Sequence, residues 1–271
     1  MAEQIATYQK RDHVAIITLN RPEKRNPLSK AMRDAILEHV SAAEEDSDVA
    51  VVVLRGAGTT FCAGADISRD DPTREARNSD GLLSYAYYDG VVDFHLAIFS
   101  SQLPIIASVQ GHALGAGLEM TMMCDLTIGT ESALFGEPEI RFGSVGAAVI
   151  MPWVIGYKRA RELLYMGDLI DAQTAQSYGL INRVVPDDRL EEETLRLADR
   201  LALIGRPTLV GAKRAVNHGA ESAGLREALR KGVMVVSLMH VSEIERHKEF
   251  GRRATADGIG AAIKWMHAQF D

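Results

Sequence analysis

A chain of 271 residues, 46% hydrophobic and 25% charged, is long enough to bury a substantial core and too apolar to be disordered. Its formal net charge of −7 leaves no excess of Lys and Arg for a phosphate backbone, which argues against general nucleic-acid binding but not against a small anionic ligand. The two cysteines, Cys62 and Cys124, make no disulfide framework and fit a reducing compartment, and no apolar run approaches the roughly 20 residues a bilayer requires, so a cytoplasmic protein without an evident signal peptide is expected.

Residues 13–19 are a β-branched run closed by Asn20-Arg21-Pro22, a strand and its turn. Ser29 can cap a helix whose apolar positions Met32, Ile36 and Val40 recur at four-residue steps. Residues 49–54 read as a second strand without polar alternation, hence buried on both faces. Residues 68–80 are charged and read as a surface loop, and residues 82–101 as a helix with Leu83, Tyr87, Val91 and Phe94 inward. Residues 105–109, 126–128 and 133–135 are further strands, and a short helix follows Gly115. Alternating strand, turn and helix make the first two-thirds α/β. From about Tyr157 the chain turns helical, over 159–166 and 172–178, the latter ended by Gly179. A last strand covers 180–185, followed by helices over 190–203, 208–217, 224–250 and 255–270. The core is expected over residues 1–195, with a helical region over 196–271 that packs on that core or on a neighbouring subunit.

Two glycine-rich segments carry the chemistry. Phe61-Cys62-Ala63-Gly64-Ala65-Asp66-Ile67 and Gly111-His112-Ala113-Leu114-Gly115-Ala116-Gly117-Leu118-Glu119 each follow a strand. Backbone N–H groups left free at both bends, converging on one oxygen, would polarise a carbonyl and hold the charge of an enolate. Gly115-Ala-Gly117-Leu-Glu-Met120 and Gly56-Ala-Gly58-Thr-Thr-Phe61 both lack the third glycine of a dinucleotide fingerprint. Gly143-Ser144-Val145-Gly146 is no hydrolase elbow.

Glu119 sits among Leu118, Met120, Met122 and Met123, a setting that would bury its carboxyl and raise its pKa. Glu137 and Glu139 flank Pro138. Glu137 is taken as a solvated loop charge. His112 is read as packing locally, and His240 and His247 have no matching carboxylate or cysteine pattern for a metal site. Cys62 reads as a small buried hydrophobe. Arg21, Lys24 and Arg25 form a local basic cluster.

In their order along the chain, these motifs resemble the crotonase superfamily, the enoyl-CoA hydratase and isomerase group. The resemblance runs from about Val14 to the C-terminus. It rests on Leu19-Asn-Arg-Pro-Glu-Lys-Arg-Asn26, the first glycine segment, the turn from Gly115 to Glu119 with Met122-Met-Cys-Asp125, Phe135-Gly-Glu-Pro-Glu139 and Gly179-Leu-Ile-Asn-Arg-Val-Val-Pro186. It implies an α/β crotonase-like spiral of ββα units followed by a helical trimerisation region, and a homotrimer or dimer of trimers acting on an acyl-CoA. The oxyanion donors fall on the N–H groups of Ala65 and Ala116, the second position being usually glycine in the family. The residues for substrate and CoA are Lys24, Arg25, Ala63, Gly64, Asp66 and Ile67.

Members that hydrate a 2-enoyl-CoA use two glutamates, matched here by Glu119, which deprotonates the water, and Glu139, which protonates Cα. Isomerase members typically keep only the later one. No metal or separate cofactor is expected, coenzyme A being part of the substrate. Residues 141–150 depart from the family's Pro-Gly-Ala-Gly-Gly-Thr type of loop. An isomerase or carbon–carbon lyase of the same superfamily is the alternative activity, and a non-catalytic scaffold or RNA-binding protein the alternative of another class.

Overall fold

The computed structural model describes residues 4–67, 76, 79–240 and 244–270. Strands β1 (Ala6–Arg11) and β2 (Val14–Leu19) pair antiparallel. The chain then runs through α1 (Lys30–Glu45) to β3 (Val51–Gly56) and through α2 (Gly81–Ser100) to β4 (Ile105–Val109). Strands β5 (His112–Leu114), β6 (Leu126–Thr130), β7 (Leu134–Gly136), β8 (Leu169–Asp171) and β9 (Arg183–Val185) complete two sheets. The larger has the order β1-β2-β3-β4-β6-β9, the smaller β5-β7-β8. From β2 onward the larger sheet is parallel, so consecutive strands need crossovers, which the helices supply.

The unbroken apolar runs of β3 and β4 follow from burial on both faces. Ala15, Ile17, Val52, Leu54 and Ile105 join the core under α1 and α2. Their neighbours Ile16, Val53 and Ile106 pack on the opposite side against Leu197 and Ala198 of α7 (Leu190–Ala202). A sheet covered on both sides has no polar face to alternate with. The expected boundary after residue 195 falls within α7.

Ser29 caps α1 as its sequence position predicts, its hydroxyl accepting from Met32 N at 3.2 Å. Lys213 of α8 (Arg206–Ser222) ties the late helices to the core, donating to Asp125 at 2.7 Å and to the Leu103 carbonyl at 3.0 Å. Arg230 of α9 (Leu225–His240) pairs with Asp89 and Asp93 of α2.

Several sequence expectations need correction. The helix expected over 224–250 is interrupted: Ile244 is extended (φ −108°, ψ 122°) and caps a separate α10 (Glu245–Ala256). Residues 241–243 lie outside the described residues, as does most of the loop expected over 68–80. The helix expected over 255–270 is α11 (Ile259–His267), entered through Gly258 at φ +88°. That glycine folds α11 back along α10, and Phe142 packs on Phe250 with ring centroids 4.9 Å apart. The strand expected over 180–185 pairs only from Arg183. Leu180 and Ile181 point into the core, while Asn182 docks on Thr127 through N→O at 2.9 Å and Oδ1 accepting from Thr127 N at 2.7 Å. Strands β1, β5 and β8 carry no strong local signal, being polar or three residues long.

Candidate active site

Asn26 anchors the first glycine segment. It is fully buried, its amide donates to the carbonyls of Ala57 (2.9 Å) and Thr60 (2.7 Å), and its oxygen accepts from Arg21 N at 2.9 Å. Arg21 in turn pairs with Asp66 at 2.8 Å, so one member of the predicted basic cluster is spent on holding the loop. Lys24 and Arg25 remain at the exposed surface. Ala63 N donates to the Arg25 carbonyl at 3.0 Å.

Ala65 faces Leu28 in an isolated parallel bridge. The bridge is made by Leu28 N to Gly64 O (2.8 Å) and Asp66 N to Leu28 O (3.4 Å). Its hydrogen bonds thus use the groups on either side and leave the Ala65 N–H outside the pairing. Gly64 makes the bend possible at φ +105°, a region that L side chains rarely adopt. Ile67 at the end of the segment is 42% exposed.

The second segment is held against the first by a parallel bridge between Cys62 and Ala113. Gly115 N donates to Gly136 O at 2.9 Å, and Ala116 then opens α3 (Ala116–Met123). Amides of a first helical turn have no partner inside the helix and carry the positive end of its dipole. Ala65 and Ala116 line one cavity together with Glu119, Glu139, His95 and Arg33.

Glu119 and Glu139 reach that cavity from different elements. Glu119 lies on the first turn of α3, its carboxylate against Gly146, where a Cβ would strike Oε1. Glu139 stands on the 3-10 turn Pro138–Phe142. Its carboxylate covers the Cα of Gly115, leaving no space for a Cβ there, and a Cβ on Gly64 would come within 2.9 Å of Oε1. Both glycine bends are therefore shaped around one acid.

Burial is the main cause of the acids' raised pKa values. It pushes Glu119 well above the usual carboxylate range, with the charge of Glu139 adding to it and the amides of Ala147 and Ala148 working against it. Glu139 is pushed up to about 7, again by burial. Two such neighbours resist simultaneous ionisation, so the pair holds a proton near neutral pH.

The solvated setting expected for Glu137 is wrong. Glu137 is 1% exposed and neither carboxylate oxygen has a hydrogen-bond partner among the described residues. Desolvation first, then the charges of Glu119 and Glu139, raise its pKa. Its residue follows buried Phe135 and Gly136 of β7, which keeps the chain inside for one more step. His95 and Arg33 were not singled out from the sequence. Arg33 shares the 33-36-40-43 spacing of buried positions on α1, and His95 stands four residues after buried Val91, so helical periodicity was the available signal. Cys62 is buried as expected, and burial pushes its thiol up to about 12.

The sequence model of the enoyl-CoA hydratase/isomerase family matches residues 9–251. A probable mitochondrial enoyl-CoA hydratase of Dictyostelium discoideum is 33% identical over 264 residues, 96% of this chain and 88% of that protein. A probable enoyl-CoA hydratase of Rhizobium meliloti (strain 1021) is 35% identical over 238 residues, 85% and 87% of the two chains. Among solved structures, an enoyl-CoA hydratase/isomerase from Xanthobacter autotrophicus Py2 superposes with a TM-score of 0.92 at 34% identity, covering 98% of each chain. Fold, cavity and sequence agree: the chain belongs to the enoyl-CoA hydratase/isomerase family, with a crotonase-type fold.

Proposed function

We propose that the protein adds water across the double bond of a 2-enoyl-CoA, and by reversal dehydrates a 3-hydroxyacyl-CoA. The observation that carries this reading is the convergence of two buried carboxyls, Glu119 and Glu139, on one cavity lined by Ala65 and Ala116. The thioester oxygen accepts from the Ala65 and Ala116 N–H groups, which hold the enolate charge. Glu119, ionised, takes a proton from water as the oxygen attacks Cβ. Glu139, protonated, delivers its proton to Cα as the enolate collapses. Protons are conserved over the two acids, and no electron leaves the substrate, so carboxyls and amides suffice without a redox cofactor.

Lys24 and Arg25, exposed beside the first glycine segment, suit the phosphates of coenzyme A, and Ala63, Gly64, Asp66 and Ile67 form the bend over which the thioester arm would lie. Isomerisation needs a single placed acid to shuttle one proton, and the presence of both favours hydration. No helix among the described residues is long and apolar enough to cross a membrane. A cytoplasmic home fits the two free thiols, and assembly into trimers or dimers of trimers fits the exposed apolar residues Met234, Val235 and Leu238 of α9. The deciding experiment mixes the enzyme with 2-butenoyl-CoA and follows the absorbance of the conjugated thioester. Loss of absorbance with formation of 3-hydroxybutyryl-CoA is expected. A double bond that moves or a chain that is cleaved, without hydroxyacyl product, would overturn the reading.

A further inference from the structure

Arg33 is 7% exposed, lies on the inner face of α1 and lines the same cavity as Glu119 and Glu139. Its guanidinium has no ion pair or hydrogen bond among the described residues. It stands over the face of Tyr87, the guanidinium carbon 5.5 Å from the ring centroid, and its charge also acts on Glu119 and His95. A largely buried guanidinium with five donors and no acceptor can offer them to an anionic group of a ligand.

The position along α2 gives the length of that something. Tyr87, Val91 and His95 recur at four-residue steps and all line the cavity, so they form one stripe. His95 marks the level of Glu119, its Nε2 standing 3.8 Å from Glu119 Oε2. Tyr87 marks the level of Arg33. Eight residues of helix separate these levels by about 12 Å along the axis. With side chains reaching in from both ends, the interval suits a short acyl chain extending from the reacting carbons to the guanidinium. The walls around that interval are not those of an alkyl slot: besides Val91 and Leu28 they include Tyr87, Tyr88 and Ser144, with the Tyr88 hydroxyl 3.4 Å from Ser144 Oγ.

We propose that Arg33 binds an anion at the far end of the acyl group, so that the preferred substrate is a short-chain 2-enoyl-CoA ending in a carboxylate. This rests on the hydratase reading of the same site and adds its substrate class. A terminal carboxylate meets the planar guanidinium with two parallel hydrogen bonds. A terminal methyl group leaves the cation buried and unpaired. The phosphates of coenzyme A are the other source of negative charge, but they sit the whole pantetheine arm away from the thioester, whereas Arg33 is inside the cavity that holds the acids.

The test measures binding of two saturated ligands that cannot be hydrated, adipyl-CoA and hexanoyl-CoA, by calorimetry with the full-length protein and with Arg33→Met. The wild type is expected to bind adipyl-CoA about 10–100-fold more tightly than hexanoyl-CoA. Arg33→Met should erase that preference while leaving hexanoyl-CoA binding within about threefold. Equal binding of the two ligands by the wild type, or tighter binding of hexanoyl-CoA, overturns the proposal without need of any variant. An equal loss for both ligands in a folded Arg33→Met would also overturn it, assigning Arg33 to the general electrostatics of the acids. Should Arg33→Met fail to fold, Arg33→Lys retains the charge without the fork and should lose affinity only for adipyl-CoA. A parallel assay with 2-hexenoyl-CoA and 2-hexenedioyl-CoA separates the two readings: turnover of neither removes the hydratase assignment, while the binding preference alone decides Arg33.

Discussion

His95 Nε2 stands 3.8 Å from Glu119 Oε2, with the two side chains 1% and 2% exposed. The contact is not an ion pair. His95 Nδ1 lies 3.0 Å from the Val91 carbonyl, and the backbone of Ala116 also acts on the ring. Burial pushes the imidazole pKa down to about 4, so the ring is neutral throughout the physiological range. A neutral ring adds no charge beside Glu119, whose ionisation is governed by burial and by the charge of Glu139.

Acid should therefore destabilise the protein through His95. The unfolded imidazole takes up a proton below about pH 6.5 and the folded one only near pH 4, so the unfolded state binds more protons between these values and stability falls as pH is lowered. The linked loss between pH 7 and pH 4.5 is about 2 kcal/mol. In His95→Gln, urea unfolding at the two pH values should show a difference smaller by that amount. An unchanged difference would mean that His95 is charged or solvent-accessible in the folded state.

The rate of hydration should fall as pH rises through about 7, where Glu139 loses the proton it must donate. Stability follows the same direction. A carboxyl whose folded pKa is raised stabilises fully below its unfolded value, near 4.5, and that contribution is lost as pH rises through the folded value of about 7. Glu139→Gln should therefore be more stable than the wild type at pH 8, by up to about 3 kcal/mol, although nearly inactive. A pH–rate profile with no decline up to pH 9 would remove Glu139 from the role of proton donor.

The three buried acids should separate on substitution. Glu119→Gln and Glu139→Gln are expected to lower kcat by roughly two to four orders of magnitude. Glu137 does not line the cavity and its oxygens are unpartnered among the described residues. Glu137→Gln keeps the shape of a neutral acid and should leave kcat within about fivefold, at equal or higher stability. Steady-state kinetics of the three variants with one enoyl-CoA decides; a loss at Glu137→Gln equal to the other two would place it in the proton path.

Gly115→Ala should abolish activity. Gly115 has φ +49° and its Cα is covered by the Glu139 carboxylate, so a methyl group meets both backbone strain and the acid. A fall of at least about 100-fold in kcat/KM is expected, since displacement of Glu139 and the neighbouring Ala116 amide disturbs both halves of the mechanism. Wild-type kinetics in this variant would show that the loop relaxes at no cost.

Much of this molecule was legible in one dimension. The strand 105–109, the helix over 172–178 with its Gly179 stop and the Ser29 cap all follow from local rules, because β-branched runs, caps and left-handed glycines act over a few bonds. The glycine bends and the acids Glu119 and Glu139 were legible for the same reason: positive φ and a buried acid beside methionines leave marks in neighbouring residues. The break at Ile244 left no such mark, nor did the short strands β5 and β8, whose pairing depends on partners more than 20 residues away.

The sequence by itself determined the family, the two bends and the two acids that its motifs carry. Tertiary structure alone decided which other polar groups share their cavity. Glu137 looked like a loop charge until β7 carried it inward, and His95 and Arg33 looked like single polar residues on amphipathic helices until α1 and α2 packed face to face over the site. The physical reason is that burial is a property of what lies opposite a residue, and the cost or use of a charge is set by that burial rather than by the residue's neighbours in the chain.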